Sequence, residues 1–273
     1  EPGEIWRRHA GLRERLVAAC RRMFGREVLD PEALTIGFAR RFATYKRALL
    51  AFTDPDRLAR ILHAEGHRVQ LVFAGKAHPH DQPGKEFMHR IVEFTGDPRF
   101  RDAVVFLPDY DVDLARLLVS GCDVWLNNPE RPLEASGTSG MKAGMNGVLN
   151  LSALDGWWDE APREETGFSF GLAQDHPPED VMAHALYTAL ESDVVPLFYD
   201  RDAEGVPRGW VEKMRNSIER IGTQFSTDRM LREYVEQCYV PCARLSQKAG
   251  DPRGIPPRAT VPEPRQPELA RES

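Results

Sequence analysis

Residues 123–151 read DVWLNNPERPLEASGTSGMKAGMNGVLNL, and this stretch decides the fold class. An apolar run at 123–126 predicts a buried strand, and the Pro-bounded loop behind it ends in a Gly/Ser-rich turn. A helical run follows at 138–146, and a second apolar strand at 148–151 completes the unit. A strand, a helix and a strand in this order predict a βαβ unit and hence a parallel sheet.

The same alternation of strands and helices continues on both sides of this unit. Short apolar strands are predicted at 34–38, 69–73 and 104–107. Helices are predicted at 5–25, about 44–52, 55–65, 84–95 and 112–119. Strands separated by helices are typical of a doubly wound α/β fold, which has a mostly parallel sheet with helices on both faces.

The C-terminal third of the chain has a different pattern. Beyond about residue 178 the sequence predicts helices near 179–191, 208–222 and 227–243. From Ser246 onward the chain is rich in Pro, Arg and Glu and has no apolar periodicity, which is typical of disorder. We therefore expect one domain over residues 1–245 and a disordered tail over 246–273.

The composition is that of an ordinary globular protein, with 41% hydrophobic and 29% charged residues in a chain of 273. The net charge of −6 argues against a nucleic-acid partner. No apolar run approaches the ~20 residues that span a bilayer, and the N-terminus lacks a secretory signal pattern, so we expect a cytoplasmic protein without a membrane partner. The four cysteines are too few and too scattered for a disulfide framework or a metal site, and no metal is predicted.

In a sheet of this kind, ligands bind where the carboxyl ends of the strands pass into loops. The sequence therefore places the candidate site in five loops. These loops are 39–44, 75–83, 108–111, 127–140 and 152–160.

The strongest local signal is EASGTSGMK at residues 134–142. Its small residues let the backbone come close to a ligand, and the start of the helix at 138–146 offers free N–H groups at the positive end of the helix dipole. Both features favour a phosphate group. Lys142 lies about one turn after Thr138, so its amine would reach a ligand whose phosphate rests there. From spacing alone, a solvated helix lysine explains the pattern equally well.

A second candidate segment is basic, RRFATYKR at residues 40–47, directly after the strand at 34–38. Four cations at the start of a predicted helix are locally unfavourable, because the helix N-terminus is itself positive. Their presence is explained if the loop holds one or more anions. A solvated basic patch is the alternative interpretation.

The string EASGTSGMK, which continues as AGMNGVLNLSALDG, is similar to the cofactor segment of the α-glucan phosphorylases, especially their shorter bacterial branch. The basic segment that ends in Tyr-Lys-Arg resembles theirs as well, and the resemblance covers roughly residues 5–245. It implies the C-terminal Rossmann-like domain of a GT-B architecture. It also implies that Lys142 carries pyridoxal 5′-phosphate.

The resemblance implies roles for other residues, position by position. Arg41 and Lys46 would bind the reacting phosphate. The cofactor would be held by Lys142, Arg40, Tyr110, Gly137, Thr138 and Ser139, and the hydroxyls of the glucosyl unit would be bound by Glu134, Ala135, Ser136 and Gly137. Tyr110 is followed by Asp111, where better-known relatives have an arginine. One phosphate-binding cation is therefore missing or supplied elsewhere.

The reaction implied by the resemblance is reversible phosphorolysis, in which orthophosphate attacks the terminal α-1,4-linked glucose of a glucan and releases glucose 1-phosphate. In this family the aldehyde of the cofactor serves as an anchor, and its 5′-phosphate exchanges a proton with the substrate phosphate. The family has two facing domains, so the absent N-terminal domain is an expected partner, and a homo-oligomer is compatible with the sequence. We expect the chain alone to bind cofactor weakly and to show little turnover.

Two other functions stay open at this point. A nucleotide-sugar glycosyltransferase of the glycogen-synthase type would share the parallel sheet and a cationic loop, but it would not need Lys142. A non-catalytic remnant that binds glucan or phosphate is favoured by Asp111 and by the absent first domain. The intact set of Arg41, Lys46, Glu134 and Lys142 argues against degeneration.

Overall fold

Six parallel strands form one sheet within residues 1–249, the part of the chain that this computed structural model describes; side chains are described for residues 1–245. The strands are β1 (Leu34–Arg41), β2 (Val69–Lys76), β3 (Val104–Leu107), β4 (Val124–Asn127), β5 (Leu149–Ala153) and β6 (Gly167–Phe170). Their order across the sheet is β3-β2-β1-β4-β5-β6, and every neighbouring pair is parallel. The predicted doubly wound α/β fold is confirmed.

Helices connect the strands. They are α1 (Pro2–Phe24), α2 (Pro55–Leu62), α3 (Gln82–Gly96), α4 (Val112–Gly121), α5 (Thr138–Met145), α6 (Arg163–Thr166), α7 (Glu179–Ala189), α8 (Val195–Tyr199) and α9 (Arg208–Gln224). Tighter 3-10 turns span Thr44–Lys46, Leu50–Phe52 and Gly156–Asp159, and a π-helical turn, Leu190–Val194, joins α7 to α8. Among residues 1–249, no helix is both long enough and apolar enough to cross a membrane.

The sheet is covered on both faces because most side chains of its strands are apolar and buried. Successive side chains of a strand point to opposite faces. Phe38 and Phe73 accordingly pack in one hydrophobic cluster, whereas Val72 and Trp125 pack in another. A sheet that is buried on both faces fits the nearly continuous apolar runs from which the strands were predicted.

By its internal contacts the chain divides into two compact units, Glu1–Ser226 and a C-terminal unit that begins at Thr227. In the C-terminal unit, α10 (Thr227–Tyr234), a π-helical turn (Val235–Tyr239) and α11 (Val240–Ala249) follow one another. The helix predicted at 227–243 is therefore observed, and α11 continues past residue 246, where the tail was predicted to begin. The rest of the predicted tail, 250–273, lies outside the described residues.

The helix predicted at 44–52 is wrong. This segment forms two 3-10 turns, and Arg47 between them has a left-handed backbone with φ 46°. A left-handed residue cannot continue a right-handed helix. In addition, β1 extends to Arg41 rather than ending at Phe38, so Arg40 and Arg41 belong to the strand and not to a helix start.

The order of the strands creates a crevice at one edge of the sheet. β1 and β4 are neighbours, but β2 and β3 lie to one side of them while β5 and β6 lie to the other. The connections that leave β1 and β4 therefore diverge at the carboxyl ends of these strands. Ligands bind at such a switch point in open parallel sheets. The segments that follow Arg41 and Asn127 line it.

A buried charged cluster lies at the opposite, amino end of the same two strands. Asp123 is fully buried, its Oδ2 accepts a hydrogen bond from the Thr35 N–H at 2.8 Å, and its Oδ1 lies 2.9 Å from Nε2 of His9. Nε of Arg13 lies 3.7 Å from the same carboxylate. Burial raises the pKa of the Asp123 carboxyl, but Arg13, His9 and Thr35 together outweigh burial, and the pKa is lowered overall. The cluster ties α1 to the two central strands.

Candidate active site

The two central strands end in buried polar side chains that hold each other. Nη2 of Arg40 donates to the carbonyl oxygen of Leu126 at 2.5 Å and to Oδ1 of Asn127 at 2.6 Å. Nδ2 of Asn127 in turn donates to Oδ1 of Asn150 in β5 at 2.8 Å. Nε of Arg40 is buried without a hydrogen-bond partner. Arg40, predicted to lie near an anion, thus joins β1 to β4 and keeps one donor unused.

The segment after β1 and the loop after β4 are bound to each other through Arg47. This side chain donates to the carbonyl oxygens of Asn128 at 3.1 Å and Pro129 at 2.6 Å. Nδ2 of Asn128 donates back to the carbonyl oxygen of Arg47 at 2.8 Å, and the N–H of Glu130 donates to the carbonyl oxygen of Tyr45 at 2.7 Å. These four hydrogen bonds hold the two loops in a fixed position relative to each other.

Lys46 and Glu134 form an ion pair at the centre of this arrangement. Both side chains are about nine-tenths buried, with 10% and 11% of their surfaces exposed. Burial lowers the pKa of Lys46, and the positive charges of Arg40 and Arg41 lower it further. The carboxylate of Asp155 opposes these effects, because a nearby opposite charge favours the ammonium form.

The backbone of Glu134 is fixed by Asp155, which follows β5. Oδ2 of Asp155 accepts from the N–H of Glu134 at 2.8 Å, and Oδ1 accepts from the N–H of Gly156 at 2.9 Å. The N–H of Trp157 donates to the carbonyl oxygen of Ser136 at 3.1 Å. The segment 134–137 therefore has a set conformation before any ligand binds. Burial raises the pKa of the Asp155 carboxyl.

Helix α5 begins directly after this segment and packs closely on the strand ends. Its N-terminal neighbour Gly137 has φ 93°, and no side chain caps the helix, so its first N–H groups lack a side-chain capping oxygen. A Cβ on Gly140 would lie 2.6 Å from Oδ1 of Asn150, which shows how tightly the helix is seated. Oγ of Ser139 accepts from Nε1 of Trp125 at 3.2 Å. An uncapped helix start next to glycines fits an anionic group.

Lys142 lies one turn into α5 and is exposed, as is Thr138 at the start of the helix. Its side chain is therefore accessible to a ligand whose anionic end rests on the turn at 137–139. Ala135 is also exposed, and Ser136 is half-buried. The residues predicted between 134 and 142 thus form one continuous surface segment beside the Lys46–Glu134 pair.

Two predicted residues, Arg41 and Tyr110, lie at or after the carboxyl ends of neighbouring strands at the same edge of the sheet, as does Lys76. Arg41 is paired in register with Lys76, and both side chains are exposed. Tyr110 is half-buried after β3, and it lies close enough to Arg40 for the guanidinium to oppose the rise in its phenol pKa that burial causes. Two adjacent like charges on paired strands are unfavourable unless an anion lies between or above them.

Asp111 has a structural role that the sequence analysis did not assign. Its Oδ1 accepts from the N–H of Leu114 at 2.8 Å, so it caps the start of α4. A side chain that bonds its own helix is not directed at a phosphate. The sequence signal was present, since Asp is among the preferred residues before a helix.

The sequence analysis also missed Arg47, Asn127 and Asn150 as residues that shape the site. Asn150 stands in the middle of a buried strand, where an unpaired amide would cost stability. A polar residue inside an apolar run was the signal that could have identified it. No comparable signal exists for Arg47, because its left-handed backbone and its two carbonyl acceptors depend on the tertiary fold.

Similarity to known proteins extends over most of the chain. A family model described as carbohydrate phosphorylase matches residues 9–191. The chain is 50% identical over 219 residues to a glycogen phosphorylase of Mycobacterium tuberculosis, which covers 79% of this chain and 25% of that protein. It is 44% identical over 255 residues to a glycogen phosphorylase of Aquifex aeolicus. This match covers 86% of this chain and 37% of that protein. A maltodextrin phosphorylase of Thermococcus litoralis is 47% identical over 215 residues. This match covers 77% of this chain and 25% of that protein. The chain spans between a quarter and somewhat more than a third of these relatives.

Proposed function

The chain belongs to the carbohydrate phosphorylase family, and on this premise we propose that it forms the phosphate- and cofactor-binding half of an α-1,4-glucan phosphorylase. The observation that carries the proposal is the meeting of three elements at one switch point. These are the cations at the end of β1, the carboxylate of Glu134 after β4, and the uncapped helix α5 with its exposed Lys142.

In the proposed reaction, orthophosphate attacks the anomeric carbon of the glucose at the non-reducing end of a glucan. The bond between that carbon and the glycosidic oxygen breaks, a carbon–oxygen bond to phosphate forms, and the departing oxygen takes up a proton. The products are glucose 1-phosphate and a shortened glucan. Such a reaction passes through an oxocarbenium-like transition state, which nearby negative charge stabilises.

Arg41 and Lys46 are proposed to bind the substrate phosphate. Arg41 offers a planar guanidinium at an exposed strand end, which suits bidentate contact with a phosphate. Lys46 contributes a mostly buried ammonium, whose interaction with an anion is little screened by solvent. A second phosphate close by would repel the first, and the surplus of cations at this end of the sheet offsets that repulsion.

Glu134, Ala135, Ser136 and Gly137 are proposed to bind the glucosyl unit. A carboxylate is a natural acceptor for sugar hydroxyls, and the backbone groups of the following residues add further donors and acceptors. Because Asp155 and Trp157 hold this segment in place, little ordering entropy is lost when a sugar binds.

Pyridoxal 5′-phosphate is the cofactor that this arrangement fits best. Lys142 would hold it at one end, and the turn at Gly137, Thr138 and Ser139 would hold its phosphate, with Arg40 and Tyr110 nearby. When bound, the cofactor supplies a phosphate that exchanges a proton with the substrate phosphate. The Nε of Arg40 is a buried donor without a hydrogen-bond partner, and the guanidinium charge would favour an anion nearby.

The whole enzyme is proposed to need more than this chain. The chain spans only 25% to 37% of the phosphorylases that it resembles. In this chain the crevice at β1 and β4 is lined by residues at the carboxyl ends of the strands of a single sheet. Glucan contacts from a facing N-terminal domain would complete the site.

Reductive labelling tests the assignment of Lys142. The chain is incubated with pyridoxal phosphate and reduced with borohydride, and the labelled peptide is identified by mass spectrometry. We expect the label on Lys142 and loss of the cofactor absorbance band in Lys142→Ala. Lys85→Ala is the matched control, because Lys85 is an exposed lysine of a different helix, α3, where its Nζ donates to the carbonyl oxygen of Pro79. Label on a different lysine would overturn the assignment.

A further inference from the structure

The ion pair between Lys46 and Glu134 joins two residues that have different proposed ligands. Lys46 is assigned to the phosphate and Glu134 to the sugar, yet in the structure each is the other's partner. We propose that this pair couples the two ligands, so that a bound sugar releases Lys46 for phosphate and a bound phosphate releases Glu134 for the sugar. The inference rests on the proposed function and adds to it a positive cooperativity between the substrates.

The backbone anchors of the two residues show that their contact is built into the fold. Glu134 is held through its N–H by Asp155 at 2.8 Å. Lys46 is preceded by Tyr45, whose carbonyl oxygen accepts the N–H of Glu130 at 2.7 Å, and Nζ of Lys46 lies 4.7 Å from the centre of the Tyr45 ring. Because both backbones are held by hydrogen bonds, the two side chains meet without any large movement of the chain.

The charges around the pair explain why it forms. Lys46 lies near Arg40 and Arg41, and its side chain is mostly removed from water. A buried ammonium next to other cations needs an anion, and Glu134 is the carboxylate in contact with it. An incoming phosphate must therefore compete with Glu134 for Lys46.

Sugar hydroxyls change this competition. When they donate to the carboxylate of Glu134, they compete with Lys46 for its oxygens and disperse its negative charge. The ammonium is then held less strongly by Glu134 and binds phosphate more favourably. By linkage the effect is reciprocal, because phosphate on Lys46 leaves the Glu134 carboxylate without its partner and favours the donation of sugar hydroxyls.

Phosphate titrations with and without sugar test the coupling. Inorganic phosphate is titrated into the 273-residue chain by calorimetry, with no addition and with saturating glucose. We expect glucose to tighten phosphate binding by about fivefold, within the usual range of coupling between two sites. Glu134→Gln should tighten phosphate binding in the absence of glucose by a similar factor, and glucose should then have no further effect.

Glu130→Gln is the matched control. Glu130 lies in the same loop and acts electrostatically on Arg47, but its carboxylate contacts His176 rather than Lys46. If removing any nearby negative charge were sufficient, Glu130→Gln would tighten phosphate binding as much as Glu134→Gln. We expect it to leave both the phosphate affinity and the response to glucose as in the wild type.

A measurement without ligands tests the pair itself. The titration of the Lys46 ammonium, followed by NMR, should move to lower pH in Glu134→Gln, because the variant removes the opposing charge. The coupling would be overturned by an unchanged titration of the Lys46 ammonium in Glu134→Gln. It would also be overturned if phosphate bound equally well with and without glucose, or if Glu134→Gln and Glu130→Gln had equal effects. If the wild-type chain binds no phosphate at all, the proposed phosphate site fails and the coupling fails with it. If phosphate binds but glucose has no influence, only the coupling fails.

Discussion

Two charged clusters lie at opposite ends of β1 and β4, and they differ in how their charge is balanced. At the amino end, the carboxylate of Asp123 is surrounded by partners: the Thr35 N–H, the His9 ring and the Arg13 guanidinium. Each of these groups faces the carboxylate, and the cluster lies within the hydrophobic interior. It contains within itself the opposite charge that it needs.

At the carboxyl end, positive charge is in excess. Arg40, Arg41, Lys46 and Arg47 lie within one short segment, and the side-chain carboxylate that contacts them is that of Glu134. Arg40 and Arg47 bond mainly to carbonyl oxygens, which are neutral.

The balance of charge distinguishes a cluster that stabilises the fold from one that binds a ligand. Where the charges of a buried cluster compensate each other, removing one member leaves its partners buried and unpaired, and stability falls. Where one sign is in excess, removing a member relieves repulsion, and binding rather than stability falls. Substitutions at the two ends of the strands test this contrast.

Asp123→Ala should lower the free energy of unfolding by about 3–5 kcal/mol, because it leaves the buried Arg13 and His9 without their anion. Urea denaturation measures the change. Asp113→Ala is the control, since its ion pair with Arg116 is almost fully exposed and should contribute ~0.5 kcal/mol or less. A loss of less than about 1 kcal/mol in Asp123→Ala would contradict the role of the cluster.

The same substitution carries a prediction about pH. The pKa of Asp123 is lower in the folded chain than its ordinary value of 3.8. At a pH above its ordinary pKa, the Asp123 carboxylate therefore makes its full contribution to the free energy of unfolding. This contribution is lost as the pH falls through the lower pKa of the folded chain. The difference in stability between the wild type and Asp123→Ala should accordingly be constant near neutral pH and shrink in strong acid.

Arg41→Ala should weaken phosphate binding on the order of tenfold, the usual effect of losing one charge-assisted hydrogen bond. The melting temperature should stay the same or rise, because Arg41 is exposed and adjoins Lys76. Arg116→Ala, an exposed arginine on α4, serves as the control and should change neither quantity. A clear fall in the melting temperature of Arg41→Ala would show that the carboxyl-end cluster is structural after all.

Anion binding should weaken as the pH rises above neutrality, because the pKa of Lys46 is lowered by burial and by Arg40 and Arg41. Above this pKa the ammonium loses its proton and its attraction for anions. Sulfate is the probe, since its own charge is constant over this range, and we expect an effect on the order of fivefold. In Lys46→Met the pH dependence should disappear. A sulfate affinity that is flat with pH in the wild type would contradict the environment assigned to Lys46.

Asp111→Arg should have opposite effects on stability and binding. It removes the side chain that caps α4, which should cost about 1 kcal/mol, while it adds a cation near Tyr110 and should strengthen phosphate binding a few-fold. Asp111→Asn keeps a capping oxygen and should match the wild type in both respects. Equal stability of the Arg and Asn variants would show that the cap contributes little.

Much of the fold could be predicted from the sequence because its signals are local. The apolar runs at β1 to β5 and the glycine-rich start of α5 each reveal their structure within a few residues. β6 was missed, because its four residues, GFSF, contain only two large apolar side chains and form no apolar run. The helix predicted at 44–52 failed because the apolar residues that suggested it pack into the core from two separate 3-10 turns.

The candidate site was predictable in its residue types but not in its contacts. The basic run at 40–47 and the segment at 134–142 stood out by composition alone. Lys46 pairs with Glu134, and Asp155 accepts a hydrogen bond from the backbone N–H of Glu134. Both contacts join residues that are far apart in sequence. Such contacts depend on strand order, which no local pattern contains.

The pairing of Arg41 with Lys76 in register has a practical consequence. Two like charges at exposed neighbouring strand ends repel each other, and an anion bound beside both would offset that repulsion. Binding to the folded chain alone raises the melting temperature with ligand concentration by mass action. A simple thermal melt therefore reports occupancy of this strand edge, and it allows phosphates, sulfate and sugar phosphates to be ranked before any turnover is measured.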